Sequence, residues 1–210
     1  MWNEDVESLA WGKQDGASTG SGLALLPAVV QDACTRRVLM LGYMNREALA
    51  RTLESRQVTF FSRSKGRLWT KGESSGHVLD LVSIESDCDH DTLLVQATPR
   101  GVTCHLGRVS CFAQAPSDFL AELDALVAQR ERERPVGSYT TQLFEAGVRR
   151  IAQKVGEEGV ETSLAAVVED DEALLGESAD LIYHLTVLLR ARGLGLTDAI
   201  RVLEQRQPPR

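Results

Sequence analysis

The sequence predicts two domains: a strand-rich α+β domain over residues 1–114 and an all-α helical bundle over residues 115–210. Three observations carry this reading. Up to Pro99 the apolar residues fall in short β-rich runs divided by turn signals. Beyond Pro116 they recur at helical spacing in long segments. The charge changes at the same place, with 12 basic against 13 acidic residues up to Ala113 and 11 against 17 after it.

Taken in order, "PAVVQDA" and "RVLMLGYM" are β-rich runs around the turn-like "CTR". Asn45 reads as the N-cap of the helix-forming "REALARTLES". "QVTFFSRS" is a strand and "SKGR" a turn, and "HVLDLVSIES" and "TLLVQATP" are two further strands. The boundary falls near Gln114 to Pro116, with Ser117 or Asp118 capping "FLAELDALVAQRERE". Phe119, Leu120, Leu123, Leu126 and Val127 form its apolar stripe. After "RERERPVGS", the segment "TTQLFEAGVRRIAQKVGEEGVETSLAAVVE" is expected to break near Gly156. "DEALLGESADLIYHLTVLLRARG" ends on Gly193 as a C-cap, and Thr197 caps the last helix.

Net charge is −7, which disfavours nonspecific binding to nucleic acid or membranes but leaves small anionic substrates open. No apolar run reaches the roughly 18 residues of a membrane helix. The acidic "MWNEDVESLAWGKQDG" lacks the apolar core of a secretory signal, so the expected location is cytoplasmic. Four cysteines without an export signal point to metal or catalysis rather than to disulfides.

Cys88, Cys104 and Cys111 are close in sequence, in "DCDHD" and "CHLGRVSC". Three thiolates suit zinc, and three protein ligands leave a fourth position for water. A structural zinc closed by His105 or His90, or three plain buried thiols, stay open on spacing alone. Cys34 has no such company. If "DCDHD" is extended, Asp87, Asp89 and Asp91 share one face and Cys88 and His90 the other. Three convergent carboxylates suit Mg²⁺, although a solvated acidic turn is the ordinary explanation for aspartates alone. Upstream, "SRSKGRLWTKGESSGH" offers Arg63, Arg67 and Lys71, the hydroxyls of Ser74 and Ser75, and Trp69 for stacking on a base. Such cations and Gly/Ser amides can cradle phosphate, and an ordinary hairpin loop explains them equally well.

Together, "PAVVQDACTRRVLMLGYMNREAL", "FFSRSKGRLWTKGESSG", "DCDHDTLLVQ" and "CHLGRVSCF" resemble phosphoribosyl-AMP cyclohydrolase of histidine biosynthesis, from about Gly22 to Phe112. The family more often has Thr at Ser74, Asn at His77 and Thr at Leu106. The resemblance implies a homodimer sharing zinc, with Cys88 from one subunit and Cys104 and Cys111 from the other. It also implies Mg²⁺ at Asp87, Asp89 and Asp91. The chemistry agrees: a ribosyl group on N1 makes the adenine cationic and C6 electrophilic, and zinc brings the pKa of a bound water down toward about 7. Attack at C6 then opens the N1–C6 bond, with His105 as general acid or base or as a hydrogen-bonding support.

In the second half, "KVGEEGVE" places Glu157, Glu158 and Glu161 within an arc of about 100° on one helix. "ESADLIYH" adds Glu177 and Asp180, with His184 on the same side. Carboxylates that interrupt apolar faces suit Mg²⁺ inside a bundle, whereas a solvated acidic face is the commoner case. The pattern resembles the all-α nucleotide pyrophosphohydrolases and, more closely, phosphoribosyl-ATP pyrophosphohydrolase, from roughly Phe119 to Leu203. That enzyme catalyses the step before the cyclohydrolase, and the order of the halves matches the bifunctional fusion. The resemblance implies Mg²⁺ on the glutamates and Asp180, with pyrophosphate released by hydrolysis between the α- and β-phosphates. Lys154, one turn before Glu158, is a candidate phosphate contact. Two alternatives stay open: a house-cleaning nucleotide pyrophosphatase fused to another zinc purine hydrolase, and a structural zinc module that binds nucleic acid. The absence of a basic-aromatic stripe argues against the second.

Overall fold

The computed structural model describes residues 6–11 and 24–207. Most of the acidic N-terminal stretch lies outside them. The chain divides into two compact units, Met1–Asp118 and Phe119–Arg210. Residues 115–118 go with the first unit: the Asp118 amide donates to the Thr35 carbonyl at 2.7 Å, and Arg37 donates to the Ser117 hydroxyl at 2.6 Å.

In the first unit, β1 (Leu26–Asp32), β2 (Val38–Met44), β5 (Leu79–Ser86) and β6 (Leu93–Pro99) form a mixed sheet in the order β2-β1-β6-β5. β1 and β6 run parallel at its centre, and the outer pairs are antiparallel. Alternate residues of β6 are buried, as a central strand of a half-covered sheet requires. The helix α1 (Arg46–Ser55) lies where "REALARTLES" predicts it. Asn45 caps it by accepting the Ala48 amide at 2.8 Å. Thr52, fully buried, accepts the Thr59 amide at 2.9 Å and so ties α1 to β3 (Thr59–Ser62). Gly42 leaves room for the Phe60 ring, which a Cβ there would overlap.

One strand escaped the sequence reading. β4 (Arg67–Thr70) pairs with β3 in a separate two-stranded ribbon, so only part of the expected loop is loop. Four residues between two turns carry too short a pattern to betray a strand. The turn is closed by the Gly66 amide on the Ser62 carbonyl at 2.8 Å.

The second unit comprises α2 (Phe119–Glu133), α3 (Tyr139–Ala146), α4 (Val148–Val168), α5 (Asp171–Arg190) and α6 (Leu196–Gln205). Its core is Val127, Leu143, Ile151 and Val187. The expected stripe of α2 is only partly used: Val127 is buried, but Phe119 is 70% exposed and Leu120 and Leu126 are also exposed. The expected break at Gly156 is not found. α4 runs through Gly156, and the interruption comes at Gly147, whose φ of 82° no helix interior accepts. A single glycine costs a helix only about 1 kcal/mol, which its neighbours offset. Thr197 is not the last cap either. Gly195 holds that position, and its amide donates to Asp198 Oδ2 at 2.9 Å. The choice follows from packing: a Cβ at Gly195 would lie 2.9 Å from Arg190 Nη2 and 3.0 Å from Asp124 Oδ2. Those two atoms belong to a bidentate ion pair joining α2 to α5, at 3.0 and 2.5 Å.

Candidate active sites

The first site lies in a cavity of about 540 Å³ in the first unit. Trp69, at β4, Lys71 just after it and the Gly72–Ser75 turn line it. Thr103, Cys104, His105, Gly107 and Cys111 line it as well. Cys104 is buried and Cys111 exposed, and the two thiols interact directly. The Leu106 backbone N–H, then Arg108, holds the Cys104 thiol below its usual range. Cys111 is pushed up, by lost hydration of its sulfur and then by Cys104. Burial pulls Lys71 down from the ordinary lysine value, and the two thiols partly oppose this. A pair of soft sulfur donors beside cations is a donor set that zinc accepts. Cys88 does not join it within one chain: among the described residues no set of three mutually close ligands includes a cysteine.

The segment around Cys88 is not extended. Asp87 to Thr92 form the turn between β5 and β6, and His90 sits at φ 60°. Asp87 Oδ1 accepts the amides of Asp91 and Thr92 at 3.0 and 3.1 Å. The alternating-face argument therefore fails, because an aspartate that captures amides ahead of it makes a turn. The three carboxylates converge all the same: ligand atoms of Asp87, Asp89 and Asp91 lie within 4.8 Å of one another. That spacing fits one shared hard cation. His90 faces elsewhere, its Nδ1 2.6 Å from the Ser86 hydroxyl.

In the second unit, Glu158, Glu161 and Glu177 bring ligand atoms within 4.8 Å of one another, across α4 and α5. Glu158 is buried, and Lys154 Nζ is 2.6 Å from it and 3.0 Å from Glu157. Lys154 is raised above the ordinary lysine value by these two carboxylates. Glu157 turns outward to Lys154, Gln153 and Arg150 and is not in the cluster. Glu177 is raised by lost hydration, then by Glu161, Glu158 and Asp180. Asp180 acts on the cluster through its charge but supplies none of its three close ligands.

Against these geometries, two family models match the chain in succession. Phosphoribosyl-AMP cyclohydrolase matches residues 40–113 and phosphoribosyl-ATP pyrophosphohydrolase residues 120–207. A relative from Xylella fastidiosa named histidine biosynthesis bifunctional protein HisIE is 71% identical, covering 98% of this chain and 99% of its own. Proteins of the same name from Xanthomonas axonopodis and Salmonella typhimurium are 69% identical (97% and 95% covered) and 56% identical (98% and 98% covered). The chain belongs to the HisIE family.

It is accordingly a bifunctional hydrolase of histidine biosynthesis, with its cyclohydrolase half first. Two features of these halves were not foreseen. Thr103 is buried in the cavity wall with its hydroxyl lacking any hydrogen-bond partner among the described residues. Nothing in "GVTCH" marks it, since a threonine before a cysteine has no distinctive spacing. His184 is the other: its spacing sets it on the side of Glu177 and Asp180, and it is buried there. Its Nδ1 donates to the Asp180 carbonyl at 2.8 Å, and its Nε2 shares a hydrogen bond with the Tyr139 hydroxyl at 3.1 Å. Its Nδ1 is also 3.6 Å from Glu158. No helix among the described residues is long and apolar enough to cross a membrane.

Proposed function

We propose that each half uses the centre its own unit contains. Cys104 and Cys111, with Cys88 from a second copy, would hold zinc. Asp87, Asp89 and Asp91 in one half, and Glu158, Glu161 and Glu177 with Asp180 in the other, would hold Mg²⁺. Bound there, zinc supplies Lewis acidity and an acidic water, and Mg²⁺ neutralises phosphate charge. Within the cavity, Trp69 stacks on the purine of phosphoribosyl-AMP, and Lys71 with the Gly72–Ser75 turn takes phosphate. His105 moves the proton as C6 is attacked and the N1–C6 bond opens. In the helical half, Lys154 exchanges its carboxylate partners for the polyphosphate of phosphoribosyl-ATP. Glu158 and Glu161 orient the α–β bridge for hydrolysis.

Several features support a homodimer. Cys88 is exposed on a turn of its own, and Leu106 is 65% exposed beside the cysteine pair, with Val109 and Phe112 exposed near it. None of the four cysteines is in a disulfide, which suits the reducing cytoplasm where we place the enzyme.

The observation that carries the whole reading is that each matched unit holds donor sets of its own: the Cys104–Cys111 pair and the Asp87, Asp89 and Asp91 cluster in the first, and Glu158, Glu161 and Glu177 in the second. Cys104→Ala is expected to abolish ring opening, followed by absorbance, while pyrophosphate release persists. Glu161→Gln is expected to do the reverse. Loss of both activities in either folded variant overturns the division. A zinc chelator should reproduce the Cys104 phenotype.

A further inference from the structure

A second cavity, of about 600 Å³, adjoins the first, and Met40 and Trp69 belong to the walls of both. β2 gives it Tyr43, and the β3–β4 ribbon gives it Ser62, Arg63 and Ser64. It contains no cysteine, no carboxylate and no histidine. The Arg63 guanidinium lies over the Tyr43 ring, 3.8 Å from its centroid. Among the described residues no carboxylate pairs with Arg63, whereas neighbouring Arg67 is held by Glu73 at 2.6 Å. A guanidinium fixed on an aromatic face keeps its N–H edge available in one orientation, which is how arginine recognises phosphate.

We propose that this second cavity is a phosphate subsite, built on Tyr43 and Arg63, for the arm of phosphoribosyl-AMP carried on N9. The inference rests on the proposed ring-opening chemistry and deepens it. That substrate bears two phosphoribosyl arms, on N1 and on N9 of one purine. The reacting C6 adjoins N1 and must face Cys104 and His105, so the N1 arm stays in the first cavity beside the Gly72–Ser75 turn. N9 lies at the opposite end of the bicycle and points away from the cysteines. With Trp69 between the cavities under the base, the N9 arm enters the cavity that has a lone cation and no catalytic group. Each volume falls in the range of about 300–1,000 Å³ usual for small-molecule sites.

AMP carries only the N9 arm and so separates the two subsites. The full chain is assayed for ring opening with AMP as competitor, and AMP binding is measured by calorimetry. Arg63→Ala should raise the KM for phosphoribosyl-AMP and weaken AMP by the same factor, about tenfold or more for one charge-assisted contact, with kcat nearly retained. Tyr43→Leu, which removes the ring under the guanidinium, should shift both in the same direction. Ser74→Ala should raise the KM and leave AMP unmoved. The proposal is overturned if Arg63→Ala changes neither quantity, or changes the KM but not AMP affinity. If Arg63→Ala misfolds by circular dichroism, Tyr43→Leu decides alone on the same terms. Should the wild type open no ring, the proposed function fails instead, and AMP calorimetry on the variants still decides the subsite.

Discussion

Glu177 illustrates how the carboxylate centre sits in tension with its own charge. Its proton is held more tightly in the folded, metal-free protein than in the unfolded chain, because hydration is lost and Glu161, Glu158 and Asp180 stand nearby. The stability this contributes is therefore present below the ordinary carboxylate pKa and lost as pH rises through the higher folded value. In metal-free protein, Glu177→Gln should raise the melting temperature of the helical half at about pH 7 and not at about pH 4. The same variant should shrink the rise that Mg²⁺ produces in the wild type. A mutant melting below wild type at neutral pH without metal would contradict this. At this scale the sequence was informative where spacing fixes direction, as for Glu158 and Glu161 on one helix turn. It was silent where a side chain chooses among neighbours. Glu157 shares the arc, yet Lys154 and Arg150 draw it out of the cluster.

Two glycines of the helical half give opposite tests of how the elements are built. Gly156 lies inside α4 with open space where a Cβ would go, so Gly156→Ala should stabilise by about 0.5–1 kcal/mol in chemical denaturation. Gly147 has equal room but a φ of 82°, so Gly147→Ala should cost about 1 kcal/mol or more. Equal effects of the same sign would refute the placement of the break. Both glycines look alike in one dimension, which is why the interruption was read at the wrong one. α1 was legible because a cap, an amphipathic run and a following strand agreed. The Asp87–Thr92 turn was not: alternation presumes a strand, and Asp87 ends it by binding two amides of its own loop.

Across the whole molecule the two halves are unequally provided with interior. The first packs a continuous core from Leu26 to Ala97, while Val160, Leu164, Val167 and Val168 on α4 and Leu175 on α5 stay exposed in the second. Exposed apolar side chains grouped in this way mark a surface for association. The melting temperature of the helical half should thus climb over about a hundredfold rise in protein concentration, as mass action requires. A flat profile would mean that these side chains need no second copy. The order of the halves and the metal-loving residue types could be read from one chain, whereas the distance of Cys88 from the Cys104–Cys111 pair could not, because sequence spacing does not fix how loops are placed in space. The place of Trp69 carries a practical corollary. The chain has three tryptophans, and this one belongs to the walls of both cavities of the cyclohydrolase half. An indole at that junction is a resident fluorophore, so with Trp2 and Trp11 replaced its emission would track occupancy without any label.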